Sequence, residues 1–575
     1  MKRYFNSLGK SVWVVSAVFA LASCNDWKDH YSYDSNYNGS ELLTIAEFIE
    51  SLPAEQTQDF IDVLSSTYMF NGDKLTLDTY WDLLGGDQFI TVWVPDKSMV
   101  DADDWAKYKK EDKNLLENKR AGQEFIQNHI ARFRHTVSAK TDEKIIMLSN
   151  KTFESKPGSI DGVSYKPGAD MINIRCKNGI IHMLNGRLRY RPTIYEYLTR
   201  NSHDIKTENG ALYDYRGILG NWFDKYTEEK IDEAKSVSSG INPQTGVMEY
   251  VDSVIIRKSI LLDRFGDISC EDSTYALILP TPAVWNAEYD SVSKFFEYGP
   301  LENDPDSLQI FYTNYSMLSD MFFNMNPKVQ LSKKDSIVST TYDRNYNLRH
   351  KVRYNVYDQP YKSTGLIGSS IDSVKCSNGI IYICNYWPYE DSKTFNRVIK
   401  LEAEDYDDYD NTKITEKRGY INGFKGENLK NVYVARISSK DSKLDWSTEF
   451  KIRNNIKGRY ALKLVVFPDT SARTRKPNLF SVQVEYLKEA NWEVIVPSTV
   501  SIDEFPFYYN IDFENNPNKI DTILVCDTVY FPTSNYFRDG KNQPRVKLTV
   551  SSLASDQNNS GELWLDCIIL EPVTE

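Results

Sequence analysis

Histidine is scarce in this 575-residue chain, at six copies. His135, His203 and His350 have no Cys or His at metal-ligand spacing. H-E-x-x-H, G-x-S-x-G, P-loop, dinucleotide and C-x-x-C patterns are all missing. That removes the motif grounds for zinc, serine-hydrolase, nucleotide and thiol-redox chemistry. Carboxylates are plentiful, but a glycosidase pair is defined by separation in space, which spacing along the chain does not reveal. The expectation is a non-catalytic protein with no cofactor. Basic residues are also in deficit, 68 Lys+Arg against 81 Asp+Glu for a net charge of −13. A body this acidic is a poor partner for nucleic acid or anionic lipid, both of which need clustered Lys and Arg. Beyond the N-terminus no run of 18 apolar residues exists, so nothing further along reads as a membrane span.

What is present is ample core material, 41% hydrophobic and 13% aromatic, enough to exclude a chain disordered throughout. At roughly 150 residues per domain the length predicts three or four domains. The N-terminus carries Lys2, Arg3 and Lys10, then the apolar stretch Val12 to Leu21, then Leu21-Ala22-Ser23-Cys24. Charge, a short apolar run and small residues before a cysteine read as a signal peptide over 1–23. The last four residues resemble the bacterial lipobox, which implies acylation of Cys24 and a lipid-anchored outer-membrane protein. Removing 1–23 takes away those three positive charges and no negative one, so −13 − 3 gives −16. Several acyl chains at about 0.8 kcal/mol per buried CH₂ would anchor such a body without help from charge. Residues 24–41 hold the anchor and a polar, aromatic linker. Asp26 and Asp29 resemble the acidic export signal of surface lipoproteins, implying that the body faces the cell exterior. Trp27, Tyr31, Tyr33 and Tyr37 make the linker a candidate docking arm for a partner protein.

An internal repeat organises the next 350 residues or so. Thr44-Ile45-Ala46-Glu47 and Thr193-Ile194-Tyr195-Glu196 are both capping boxes opening a helix. Apolar strands end at Pro95 and at Pro280, an offset of 185. Phe125-x-x-Asn128 matches Phe311-x-x-Asn314, an offset of 186, and Ile174 to Leu184 aligns with Val374 to Cys384, an offset of 200. Four landmarks in one order indicate duplication, and the growing offset puts insertions in 200–270 and 320–370. Asn178-Gly179 and Asn378-Gly379 read as hairpin turns.

These landmarks resemble the fasciclin domain, which implies an α+β module with a β-wedge beside helices. The expected domains are 42–191 and a degenerate second copy at 192–392, where Tyr315 and Tyr382 replace His129 and His182. The resemblance also implies adhesion or protein contact rather than catalysis.

From Ile399 the period changes to strand alternation. Tyr460 to Val466, Phe480 to Tyr486, Val546 to Val550, and Leu563, Leu565, Cys567 and Ile569 each read as one-face-buried strands. The prediction for 398–575 is an all-β antiparallel jelly-roll sandwich. Its first and last strands resemble the edges of galactose-binding-like carbohydrate-binding modules, and that likeness implies a structural calcium at Glu402 or Glu404 with Asp566. The alternative is ordinary surface carboxylates at strand ends. Turn-proximal aromatics offer stacking platforms for sugar: Trp492 and Tyr536 foremost, then Trp446, Tyr420, Tyr508 and Tyr509. Cys176 and Cys376 hold equivalent repeat positions as small buried hydrophobes. Cys526 and Cys567 read either as a disulfide or as unbonded core residues. Eight Asp-Ser/Thr-aliphatic or Thr triplets, at Asp252, Asp272, Asp290, Asp306, Asp335, Asp372, Asp521 and Asp527, exceed the roughly two or three that composition predicts. They resemble O-glycosylation acceptors.

Together these resemblances imply a surface lipoprotein that captures glycan or peptide for a TonB-dependent nutrient-uptake complex of the starch-utilisation type. The alternative is an adhesin or scaffold acting through the fasciclin surfaces.

Overall fold

The computed structural model describes residues 43–573 except 72–73, 139–141, 169–170, 201–204, 232–236, 242–247, 253–254, 327–334, 349–350, 406–407, 410–413, 422–431, 440–445, 470–471, 489–490, 495–511, 538–542 and 551–558. Two compact units emerge, one of residues up to 192 with 229–256, the other of 193–228 with 257–575. The architecture is multidomain, α+β followed by a β-sandwich.

The duplication is visible in the ladders. In the first copy α1 (Ile45–Ser51) precedes β1 (Ile90–Pro95), β2 (Ile130–Arg132), β3 (Ile174–Cys176) and β4 (Gly179–Leu184), which form a sheet of order β2-β1-β4-β3. In the second, α2 (Ile194–Thr199) precedes β5 (Tyr275–Pro280), β6 (Phe322–Asn324), β7 (Ser336–Leu348), β8 (Lys351–Asp358), β9 (Asp372–Cys376) and β10 (Gly379–Cys384), in the order β8-β7-β6-β5-β10-β9. The central parallel pair keeps its register, Ile90 opposite Gly179 and Tyr275 opposite Gly379. Both capping boxes form. The longer offsets are accommodated by two two-stranded sheets within 227–259 and by the β7–β8 hairpin.

The Asn-Gly pairs do different work from a hairpin's two central residues. Cys176 pairs with Gly179 and Cys376 with Gly379, so the turns are Lys177-Asn178 and Ser377-Asn378, and each glycine opens the next strand. A Cβ on Gly179 would lie 1.8 Å from the Ile90 carbonyl oxygen, and one on Gly379 1.9 Å from that of Tyr275. Only glycine permits so close a strand approach. The Asn178 amide, buried, accepts from the Ile45 N–H at 2.8 Å and donates to the carbonyls of Leu84 (2.8 Å) and Gly86 (2.7 Å). Asn378 repeats this with the Ile194 N–H (2.9 Å), Ile268 (2.7 Å) and Cys270 (3.1 Å). One side chain thereby pins the first helix to the strand pair in each copy.

Strands β11 (Ile399–Glu402), β12 (Asp408–Tyr409), β13 (Ile414–Ile421), β14 (Val432–Ser439), β15 (Trp446–Lys451), β16 (Gly458–Phe467), β17 (Leu479–Lys488), β18 (Asn491–Val494), β19 (Asp512–Glu514), β20 (Asp521–Phe531), β21 (Arg545–Val550) and β22 (Glu562–Pro572) build two antiparallel sheets. One runs β13-β14-β22-β16-β20 with β11 on β22, the other β12-β15-β21-β17-β18 with β19 on β17. Alternation holds for β15, β21 and most of β16. It fails in β22. Val465 pairs with Cys567 but Val466 with Leu565, a bulge at Asp566. The extra residue reverses the faces, so Leu563 and Leu565 are buried before it and Ile568 and Leu570 after it, while Ile569 turns outward. The six cysteines among the described residues are unbonded, and Cys176, Cys376, Cys526 and Cys567 are buried.

The second copy and the sandwich share one continuous core. Tyr536 meets Phe296 edge-on at 5.5 Å, Phe537 stacks on Tyr312 at 5.2 Å, and the Tyr298 hydroxyl donates to the Tyr536 carbonyl at 3.0 Å. Lys457 pairs with Glu297 across the same seam.

Candidate functional site

His129 and His182 of the first copy are packing residues. The His129 Nε2 accepts from the Leu188 N–H (3.0 Å), which leaves Nδ1–H to donate to the Phe125 carbonyl (2.9 Å). Burial pushes its pKa down to about 3. His182 accepts from the Asn173 N–H at Nδ1 (3.2 Å), donates from Nε2 to the His135 carbonyl (2.9 Å), and is pushed down to about 4, again by burial first. Both rings are fully buried and neutral at physiological pH.

The sandwich aromatics divide differently. Trp446 and Tyr536 are buried core side chains, which corrects their reading as sugar platforms. Trp446 sits on the inward alternation of β15 with its indole N–H donated to the Gly561 carbonyl (3.1 Å), and Tyr536 fills the seam. A turn flank does not imply exposure when a neighbouring module covers it. Tyr508, Tyr509, Cys24, Trp27, Tyr31, Tyr33 and Tyr37 lie outside the described residues. Tyr420 and Trp492 are placed by backbone alone: Tyr420 opposite Tyr433, Trp492 opposite Leu487.

The carboxylates expected to hold calcium lie beside a lysine. The Lys400 ammonium lies 3.0 Å from Glu402 Oε1 and 3.9 Å from Asp566 Oδ2, so a cation already occupies the space between them. Burial opposes the charge on Lys400, yet Cys567 and these two carboxylates outweigh it and raise its pKa. Glu404 is buried and does not join the other two in a metal-holding group.

A built polar surface does exist on the outward alternation of the second sandwich sheet. Ladder pairing aligns three rows: Ser447–Thr549, with Ser481 buried beyond it, Glu449–Lys547–Gln483 and Lys451–Arg545–Glu485. Arg545, the middle residue of the last row, has Nη1 at 2.8 Å from Glu449 and Nε at 2.7 Å from Glu485. The ladder continues onto β18, where Val494 pairs with Glu485 and Trp492 with Leu487. Hydroxyl, amide, carboxylate and guanidinium groups are thereby fixed on rigid strands, which preorganises them to exchange hydrogen bonds with a hydroxylated ligand. In the sequence this face is the polar half of the same alternation that predicts the strands.

No protein family matches the chain, and no curated protein does. Solved structures that match in part include a GH26–CBM35 β-(1,4)-mannanase of Podospora anserina, 13% identical with a TM-score of 0.18 over 31% of this chain and 28% of that one. Another is the CBM22-1–GH10 modules of endo-1,4-β-D-xylanase 10B from Clostridium thermocellum in complex with xylohexaose, 10% identical, TM-score 0.17, over 31% and 27%. A third is the enzymatically active domain of bacteriophage CBA120 tailspike protein 4, 8% identical, TM-score 0.17, over 35% and 23%. At these scores the likeness carries no argument. The sandwich stands on its own ladders.

Proposed function

We propose that this is a non-catalytic, lipid-anchored outer-membrane protein that captures glycan for a TonB-dependent uptake complex, with two fasciclin-like copies carrying a carbohydrate-binding sandwich. The observation that carries the glycan reading is the preorganised polar face around Arg545. Lipidation at Cys24, exposure at the cell surface and the transporter partnership rest on the N-terminal sequence pattern. Glycan-array binding of the full-length protein tests the reading. A retained glycan whose binding weakens about tenfold in Gln483→Ala/Lys547→Ala supports it. Failure to retain any glycan removes it. The second reading, a scaffold or adhesin, draws on the exposed apolar side chains Tyr68, Leu75 and Leu77 on the hairpin over 68–79 of the first copy.

A further inference from the structure

Each copy has its own sheet, and the two cover the corresponding face differently. In the first copy that face is closed. His182, opposite Trp93 in the ladder, stacks on it at 5.5 Å and touches Tyr165 at 5.7 Å. The small sheet over 143–164 completes the cover with Ile145, Phe153 and Ile160. In the second copy Tyr382 occupies the equivalent place, opposite Ile278. Here the cover is partial. Tyr357 meets Phe323 edge-on at 5.7 Å and the Tyr389 hydroxyl donates to the Ile278 carbonyl at 3.2 Å, which closes the inner end. Tyr382 stays half-buried within electrostatic reach of Tyr361, 62% exposed, on the loop whose Ser369 bonds Tyr386, 40% exposed.

The loop 359–371 that presents Tyr361 is rigidly built. The N–H groups of Ile367 and Gly368 both donate to the Pro360 carbonyl, at 2.8 and 2.9 Å. A Cβ on Gly365 would lie 2.3 Å from the Gln359 carbonyl oxygen, and one on Gly368 2.0 Å from that of Lys362, so the loop closes on itself only with glycine there. Ser369 Oγ and Tyr386 Oη lie 2.6 Å apart in a hydrogen bond, which orients that ring. Ser373 pairs with Tyr382 across the ladder, and the Lys375 ammonium at the rim is matched by Glu208 at 3.1 Å.

We infer that this tyrosine face of the second copy is a binding site for a neutral pyranose. The inference rests on the glycan reading above but places a site outside the sandwich. Ring faces suit the apolar C–H side of a sugar, and phenol and serine hydroxyls suit its rim. Because the rim lysine is already paired, an acidic ligand gains little there, and the patch favours an uncharged one.

The test titrates the full-length protein with maltohexaose, cellohexaose, mannohexaose and xylohexaose, alongside a decaproline peptide. Tyr361→Ala/Tyr386→Ala is compared with Gln483→Ala/Lys547→Ala. The inference expects one hexaose to bind and the tyrosine pair to weaken it about tenfold at unchanged melting temperature. Binding lost only in the sandwich variant overturns this site while leaving the glycan reading intact. Binding of decaproline in place of every hexaose, sensitive to the tyrosine pair, overturns the ligand class. No hexaose bound at all overturns both.

Discussion

Replacing Asn178 by Leu, which has nearly its shape, would strand three buried backbone groups: the Ile45 N–H and the carbonyls of Leu84 and Gly86. Each buried group left without a partner costs about 1–3 kcal/mol, so the loss should be about 3–9 kcal/mol. That is a large part of the roughly 5–15 kcal/mol a domain possesses. Asn178→Asp sharpens the test. It keeps an acceptor for the Ile45 N–H but sets a carboxylate against two carbonyl oxygens, so it should cost at least as much as Leu. Neither Asn178 nor Asn378 has a left-handed backbone, which excludes turn conformation as the reason for asparagine there. Urea unfolding followed by hydrogen exchange with mass spectrometry localises the effect. That readout matters because a two-unit chain need not unfold in one step. Asn178→Leu should destabilise residues 43–192 and leave the sandwich unchanged, and Asn378→Leu should do the reverse. A shift below about 1 kcal/mol for Asn178→Leu, or tolerance of Asp, would show that the Asn178 side chain does not pin the helix.

Three further outcomes follow from the same packing. The folded-state pKa values of His129, about 3, and His182, about 4, lie below the ordinary 6.5. Their contribution is therefore full above about pH 6.5 and lost as pH falls toward those values, about 2 kcal/mol for each at pH 5. His129→Gln should lower stability at pH 7.5 yet shrink the further loss between pH 7.5 and 5 by about 2 kcal/mol, measured by urea titration at the two pH values. At the seam, Phe537→Ala removes the stack on Tyr312 and should cost about 3–5 kcal/mol. Calorimetry should then resolve the sandwich from the second copy as separate transitions. Gly379→Ala forces a Cβ to 1.9 Å from the Tyr275 carbonyl oxygen and should abolish folding of the second copy, seen as loss of exchange protection in β5 and β10.

Much of this fold could be read from residues, for identifiable reasons. The repeat was legible because its four landmarks are places where one residue type alone fits: a capping Thr, a strand-ending Pro, a packing Asn, and Asn-Gly beside a parallel strand. The role of Asn-Gly was misjudged because hairpin statistics describe local turns, whereas these asparagines bond to a helix and a loop over ninety residues away in sequence. Sandwich strands were legible from alternation until the Asp566 bulge reversed the faces, an event set by register with β16 and invisible along β22 itself. Trp446 is buried because it falls on the inward alternation of β15, and Tyr536 because the second copy packs over its turn. The surface tyrosines of the second copy carry no motif, since Tyr361 sits on a glycine-closed loop that holds Tyr386 only through Ser369.

The central claim is capture of glycan without cleavage. Affinity electrophoresis of the full-length protein through gels containing soluble neutral polysaccharides, followed by size analysis of the polysaccharide after long incubation, addresses it directly. Migration should be retarded in at least one gel with the polysaccharide unchanged in length. Unretarded migration in every gel, or shortened chains after incubation, would contradict it.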